Sequence, residues 1–174
     1  VTIVVVCIAL AIGGCLAVGQ DRTILRDHYD PPLSPYDYTS PLSGMRSYIK
    51  NSKDDVLLTV ENLPAGSSVR LAVMDRFDGN VWNLSDSTMS SDSSNYHRVG
   101  TSITNNAEGK KFTATFTVNK DLSGYWLPIA GAASSVTFDN SENVDSFYYN
   151  SDTMSAIYPS RTSEGLTYTE TGIM

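Results

Sequence analysis

The first eighteen residues, from Val1 to Val18, carry no charged side chain, and the chain turns polar abruptly at Gln20-Asp21-Arg22. A helix rising about 1.5 Å per residue would carry this run across roughly 27 Å, close to the roughly 30 Å hydrocarbon core of a bilayer. A helix in a water-soluble core keeps a polar face, and this run offers none. Residues 1–19 are therefore expected to form a transmembrane helix with the lipid bilayer as its partner. The competing reading is a cleaved signal segment, but no basic stretch precedes the apolar run. The first residue is Val, and the chain is expected to be a piece of a longer protein. Ile12-Gly13-Gly14-Cys15 also resembles a lipobox, whose Cys could carry lipid. Leu16-Ala17-Val18 continues the apolar run past that point, which favours Cys7 and Cys15 as small membrane-embedded hydrophobes.

Residues 20–54 form an expected Pro-rich connector, and residues 55–174 an expected β-rich domain outside the cytoplasm. The soluble part is long enough for one domain with its own core. Both cysteines of the chain fall in the apolar run, so no disulfide framework or thiolate metal site can form beyond it. A net charge of −7 excludes a nucleic-acid binder, which needs a basic stripe. For the chain as a whole it also disfavours adhesion to anionic lipid. Arg22 and Arg26 follow the apolar run but interleave with Asp21 and Asp27, so charge bias alone does not orient it.

Tyr29-Asp30-Pro31-Pro32-Leu33-Ser34-Pro35 is expected to be extended, since each Pro removes a donor and restricts the residue before it. A short helix is expected over residues 41–50, with Ser40 as its cap and Leu42, Met45 and Ile49 on one face. Strands are expected over residues 56–61, 68–74 and 81–84, joined by turns at Asn62-Leu63-Pro64-Ala65-Gly66 and Phe77-Asp78-Gly79-Asn80, as a meander. Residues 85–95 are too polar to pack and read as a solvated loop. Residues 96–100 resume as a strand. Residues 111–118 alternate strictly, with Phe112, Ala114, Phe116 and Val118 on one face and Lys111, Thr113, Thr115 and Thr117 on the other. Further short strands are expected at 125–127, 135–138, 146–149, 156–158 and 166–169. The whole is a mainly β fold, a sandwich-like domain preceded by one transmembrane helix.

Residues 26–100 carry a recurring pattern. Asp27-His28-Tyr29-Asp30-Pro31-Pro32 leads to Ser40-Pro41-Leu42 and Arg46-Ser47-Tyr48. Asn62-Leu63-Pro64-Ala65-Gly66 follows, and then the string Arg70-Leu71-Ala72-Val73-Met74-Asp75-Arg76-Phe77-Asp78-Gly79-Asn80-Val81-Trp82. Tyr96-His97-Arg98-Val99-Gly100 closes it. In order and spacing this resembles bacterial, especially actinobacterial, transglutaminase-like membrane proteins, in the segment between their membrane helices and their catalytic core. The resemblance implies a papain-like core with a Cys-His-Asp triad downstream in the same chain. That triad has no counterpart here. Nucleophilic catalysis of this kind needs a thiolate beside a base, and Cys7 and Cys15 lie where thiolate formation is disfavoured.

No catalytic, cofactor-binding or metal residue is assigned from the sequence. His28 and His97 lack a Cys partner in the soluble part and make a weak zinc pair. Asp75, Asp78 and Asn80 surround Gly79 in an order unlike a calcium loop, and turn chemistry accounts for them better. Asp139, Ser141, Asn143 and Asp145 alternate without the Gly or terminal Glu such a loop needs. Arg70 and Arg76 could pair with Asp75 or Asp78 at the surface, and Trp82 and Trp126 are expected core anchors. The leading expectation is a non-catalytic extracytoplasmic module that positions the downstream core at the cell membrane and contacts envelope protein or peptidoglycan. The alternatives are a stand-alone membrane-anchored or lipoprotein module binding glycan or protein through its tyrosines, and an envelope hydrolase with unrecognised carboxylates.

Overall fold

The computed structural model describes residues 40–80, 82–84, 95–100, 102–122, 124–139 and 147–174. The expected membrane segment 1–19, the connector as far as residue 39, Cys7, Cys15, His28, loop residues 85–94, and Ser141, Asn143 and Asp145 lie outside these residues. Among the described residues no helix is long and apolar enough to cross a membrane.

The helix α1 spans Pro41–Asn51, with Pro at its first turn as the sequence leads one to expect. Ser40 makes no side-chain cap bond to it. Among the described residues twelve strands follow: β1 Leu58–Glu61, β2 Val69–Arg70, β3 Arg76–Phe77, β4 Trp82–Asn83, β5 His97–Arg98, β6 Lys111–Val118, β7 Trp126–Leu127, β8 Ile129–Ala130, β9 Ala132–Phe138, β10 Tyr148–Asn150, β11 Ser155–Ile157 and β12 Thr167–Ile173. The fold is mainly β, and its sheets do not close into a barrel among the described residues.

Two four-stranded antiparallel sheets carry most of the structure, in the orders β1-β6-β12-β9 and β5-β10-β11-β7. In the first, β12 lies between β6 and β9 and pairs with both along its length. The strict alternation of β6 sends Phe112, Ala114, Phe116 and Val118 inward, and all four are buried. Val136 and Phe138 of β9 and Tyr168 of β12 join them. From the second sheet come Leu127, Tyr149 and Ala156, in the same cluster. A smaller cluster of Leu84, Tyr96, Trp126, Tyr148 and Ile157 takes the other face of that second sheet.

The expected meander of the first three strands does not form. The β1 strand pairs with β6, β2 pairs with β8, and only β3 and β4 make a local hairpin. Two residues of β2 replace the longer strand expected over 68–74, because its partner β8 is itself two residues long. The final strand is longer than its expected 166–169, continuing through Glu170 to Ile173. Gly172 permits this: a Cβ there would stand 2.6 Å from the Ala132 carbonyl oxygen, next to the register shift between Thr171 and Gly172.

Candidate functional site

The hairpin of β3 and β4 is the most outward-facing feature of the second half of the recognised string. Phe77 and Trp82 are cross-strand partners in its ladder. Their rings lie 5.3 Å apart, tilted by 35°. Trp82 is 49% exposed and Phe77 53%. Trp82 is thus not the core anchor expected of it, whereas Trp126, at 3%, is one. The difference is the sheet each strand joins: β4 pairs with β3 in a two-stranded hairpin, whereas β7 pairs with β11 in the second four-stranded sheet and places Trp126 in the second cluster.

Turn chemistry shapes the hairpin tip. The Asn80 backbone N–H donates to Asp78 Oδ1 at 2.8 Å, and Gly79 holds φ at +104°. The Asp75 N–H donates to the Asn83 carbonyl at 3.1 Å and lengthens the ladder by one bond. Arg70 Nη1 donates to the Met154 carbonyl at 3.2 Å. His97 sits exposed on β5 opposite Tyr149, and Asp139 is exposed after β9. Among the described residues no three His, Cys, Asp or Glu side chains gather closely enough to hold a metal.

The buried polar groups lie elsewhere, and the sequence did not single them out. Glu170 is fully buried on β12. Its Oε2 accepts the Ala130 N–H at 2.8 Å, while Oε1 is buried without a hydrogen-bond partner. Burial pushes its carboxyl up to about 8, so it is mostly protonated at neutral pH. The Tyr168 hydroxyl donates to the Pro128 carbonyl at 2.6 Å, and the Tyr149 hydroxyl accepts the Ala133 N–H at 3.1 Å. These three side chains converge on residues 128–133, where the chain turns from β8 into β9 through Gly131. A buried turn cannot satisfy its own backbone, and the three side chains supply what the ladders leave out. A carboxyl of raised pKa in a cleft would be a candidate acid. Glu170 is fully buried and accepts a backbone N–H, which is the geometry of a structural acceptor.

A second polar chain locks the β10–β11 turn. The Asn150 Oδ1 accepts the N–H groups of Asp152 and Thr153, at 2.9 and 3.0 Å. Ser155 Oγ lies 2.7 Å from both Thr153 Oγ1 and the Tyr96 hydroxyl. Burial pushes the Tyr96 phenol up to about 12. An open groove of about 430 Å³ runs between Tyr158, Arg161, Glu164, Leu166 and Asp139. Its Arg161 guanidinium lies 5.3 Å from the centre of the Tyr125 ring, a cation–π contact that holds the groove wall. Nothing in it pairs a nucleophile with a base.

What these observations define is a mainly β module of two antiparallel sheets whose buried polar groups serve its own backbone and whose aromatic hairpin faces outward. The family model of the TgpA N-terminal domain matches residues 38–173, and the chain belongs to that family. It is an N-terminal module of a transglutaminase-associated protein. The match spans α1 and every strand, so it also covers residues 101–173, where the sequence alone offered only β texture. No curated protein and no solved structure matches the chain.

Proposed function

We propose that this chain is the non-catalytic, extracytoplasmic part of a membrane-anchored transglutaminase-like protein of the bacterial, actinobacterial type. In this reading residues 1–19 anchor it, and the two sheets over one core form a sandwich-like spacer that positions a downstream core at the envelope. The observation that carries the reading is the family membership across residues 38–173, combined with an uncharged run of bilayer length ahead of it. Tethering a core near the surface raises its effective concentration on envelope substrates without any new contact. The test is topological. With Cys7 and Cys15 replaced by Ala, an Asn80→Cys variant in intact cells is expected to react with an externally added impermeant maleimide. Reaction only after lysis would put the domain on the wrong side of the membrane and end this reading.

The Phe77–Trp82 pair favours a second reading, a contact module for glycan or protein. Two tilted, half-exposed aromatic rings beside Asp78 and Asn80 offer stacking surface with polar groups at its edge. Trp82→Ala should leave stability within about 0.5 kcal/mol, as expected for an exposed position. The same variant should lose most of the co-sedimentation with insoluble peptidoglycan that the unaltered chain shows. Equal sedimentation of the two chains, or none by either, would remove peptidoglycan as the partner.

A further inference from the structure

The helix α1 presents an exposed apolar face. Leu42 is 43% exposed, Met45 52% and Ile49 67%, and Val56 just beyond the helix is 65% exposed. At 100° per residue Leu42, Met45 and Ile49 fall on one stripe, while the half-buried Pro41, Gly44 and Tyr48 fall on a neighbouring one. Arg46 and Lys50 lie along the opposite border of the apolar stripe, both exposed. A soluble domain gains nothing from ordering three large apolar side chains in water.

The charge of the helix itself runs against the charge of the chain. Within Pro41–Asn51 stand Arg46 and Lys50 and no acidic residue, a charge of +2 in a chain of −7, while Lys53 beyond the helix is offset by its neighbours Asp54 and Asp55. The aromatic hairpin does not share this property, since Asp75 and Asp78 flank it. Apolar residues beside a border of Lys and Arg are what a helix lying in the plane of a membrane surface requires. Each basic side chain near an anionic leaflet strengthens attachment by about fivefold.

We infer that α1 is a membrane-surface helix, with Leu42, Met45 and Ile49 entering the headgroup layer and Arg46 and Lys50 meeting anionic lipid headgroups. The inference rests on the anchored reading above and deepens it. Residues 20–40 separate the expected membrane segment from the helix, so the same bilayer lies within reach. Docking α1 gives the domain a second point of attachment. It thereby sets the orientation of both sheets relative to the lipid, which a single tether through a Pro-rich connector leaves unset. Adhesion that the overall negative charge disfavours for the whole surface is thus confined to one helix.

The test uses the full chain, with Cys7 and Cys15 replaced by Ala and a polarity-sensitive fluorophore on Ile49→Cys or, as the control, Asn80→Cys. It is reconstituted into vesicles of phosphatidylcholine alone, or of equal parts phosphatidylcholine and phosphatidylglycerol. Both compositions include lipids carrying a nitroxide on the acyl chain. In the mixed vesicles the label at position 49 is expected to be quenched severalfold more than the label at position 80. Adding Arg46→Gln and Lys50→Gln should lower the ratio of docked to undocked helix by about thirtyfold, and added salt should act in the same direction. A chain that floats with the vesicles while position 49 stays as unquenched as position 80 overturns the surface helix and leaves the anchor intact. Quenching indifferent to lipid charge and to the Gln variants overturns the headgroup contact. Protection of position 49 that rises with protein concentration without vesicles assigns the face to a second copy and overturns the inference. A chain that floats with neither vesicle overturns the anchor itself, and the surface helix with it.

Discussion

Phe116→Ala is expected to remove about 3–5 kcal/mol of stability, the range for truncating a buried aromatic side chain. The ring is fully buried at the centre of β6. It lies against Tyr168 of β12 with centroids 5.0 Å apart and planes within 4° of parallel. Tyr168 in turn lies 5.8 Å from Phe138 of β9, which stacks on Tyr158 at 5.0 Å. The rings thus run across the three longest strands, and removing the first leaves a void that the flanking β1 strand, with its half-exposed Leu58 and Val60, cannot fill. A domain of this size is stable by about 5–15 kcal/mol, so the loss is about a fifth of the total or more. Denaturant unfolding followed by tryptophan fluorescence, to which the buried Trp126 contributes the change, reads it as a lower midpoint at unchanged slope. Thr113→Ala, on the outward face of the same strand, should shift stability by no more than about 0.5 kcal/mol. A loss below about 1 kcal/mol for Phe116→Ala would show that this stack is not the centre of the core.

The contrast between those two positions was legible in the sequence, because β6 alternates without exception and a strand's side chains alternate with it. The helix Pro41–Asn51 was legible too, from a Pro that starts it and apolar spacing along one side. That its apolar side faces away from the protein was not legible, since spacing identifies a face but not what covers it. The pairing order failed for a different reason. Local turns suggested that strands adjacent in sequence would pair, yet β1 found β6 and β2 found β8. Nothing near β1 in the sequence encodes a partner more than fifty residues away. Trp82 and Trp126 look alike as isolated residues, and what separates surface from core is that one strand joins a two-stranded hairpin and the other a four-stranded sheet. The transglutaminase resemblance was carried by residues 26–100, whose turns leave a recurring string, while the longer strands beyond them leave only alternation. The second half of β12 was hidden by its own chemistry, since a Glu and a Gly read as the end of a strand.

That Glu is the source of the second large effect. The folded chain holds the Glu170 carboxyl near 8, raised by burial from an ordinary 4.5 and lowered only in part by the Ala130 N–H. Between those values the folded state keeps a proton that the unfolded state releases. Stability is therefore fully present below the unfolded value and falls as pH rises through the folded one. At about 1.4 kcal/mol per unit, the interval from 4.5 to about 8 corresponds to roughly 5 kcal/mol, with the curve flat above it. Glu170→Gln keeps the acceptor for Ala130 and cannot ionise. Its amide brings N–H donors to a place where Oε1 has no partner, at a cost of about 1–3 kcal/mol that does not vary with pH. The two stability curves should therefore cross. At about pH 5 the variant is the less stable chain by the amide's desolvation, and at about pH 9 it is the more stable by about 2–4 kcal/mol. Subtracting one unfolding curve from the other cancels every titration that the two chains share and leaves that of Glu170 alone. A difference that stays constant from acid to alkaline pH would mean that this carboxyl ionises as freely in the folded chain as in water. The turn from β8 into β9 would then be held by Tyr149 and Tyr168 without a neutral acid between them.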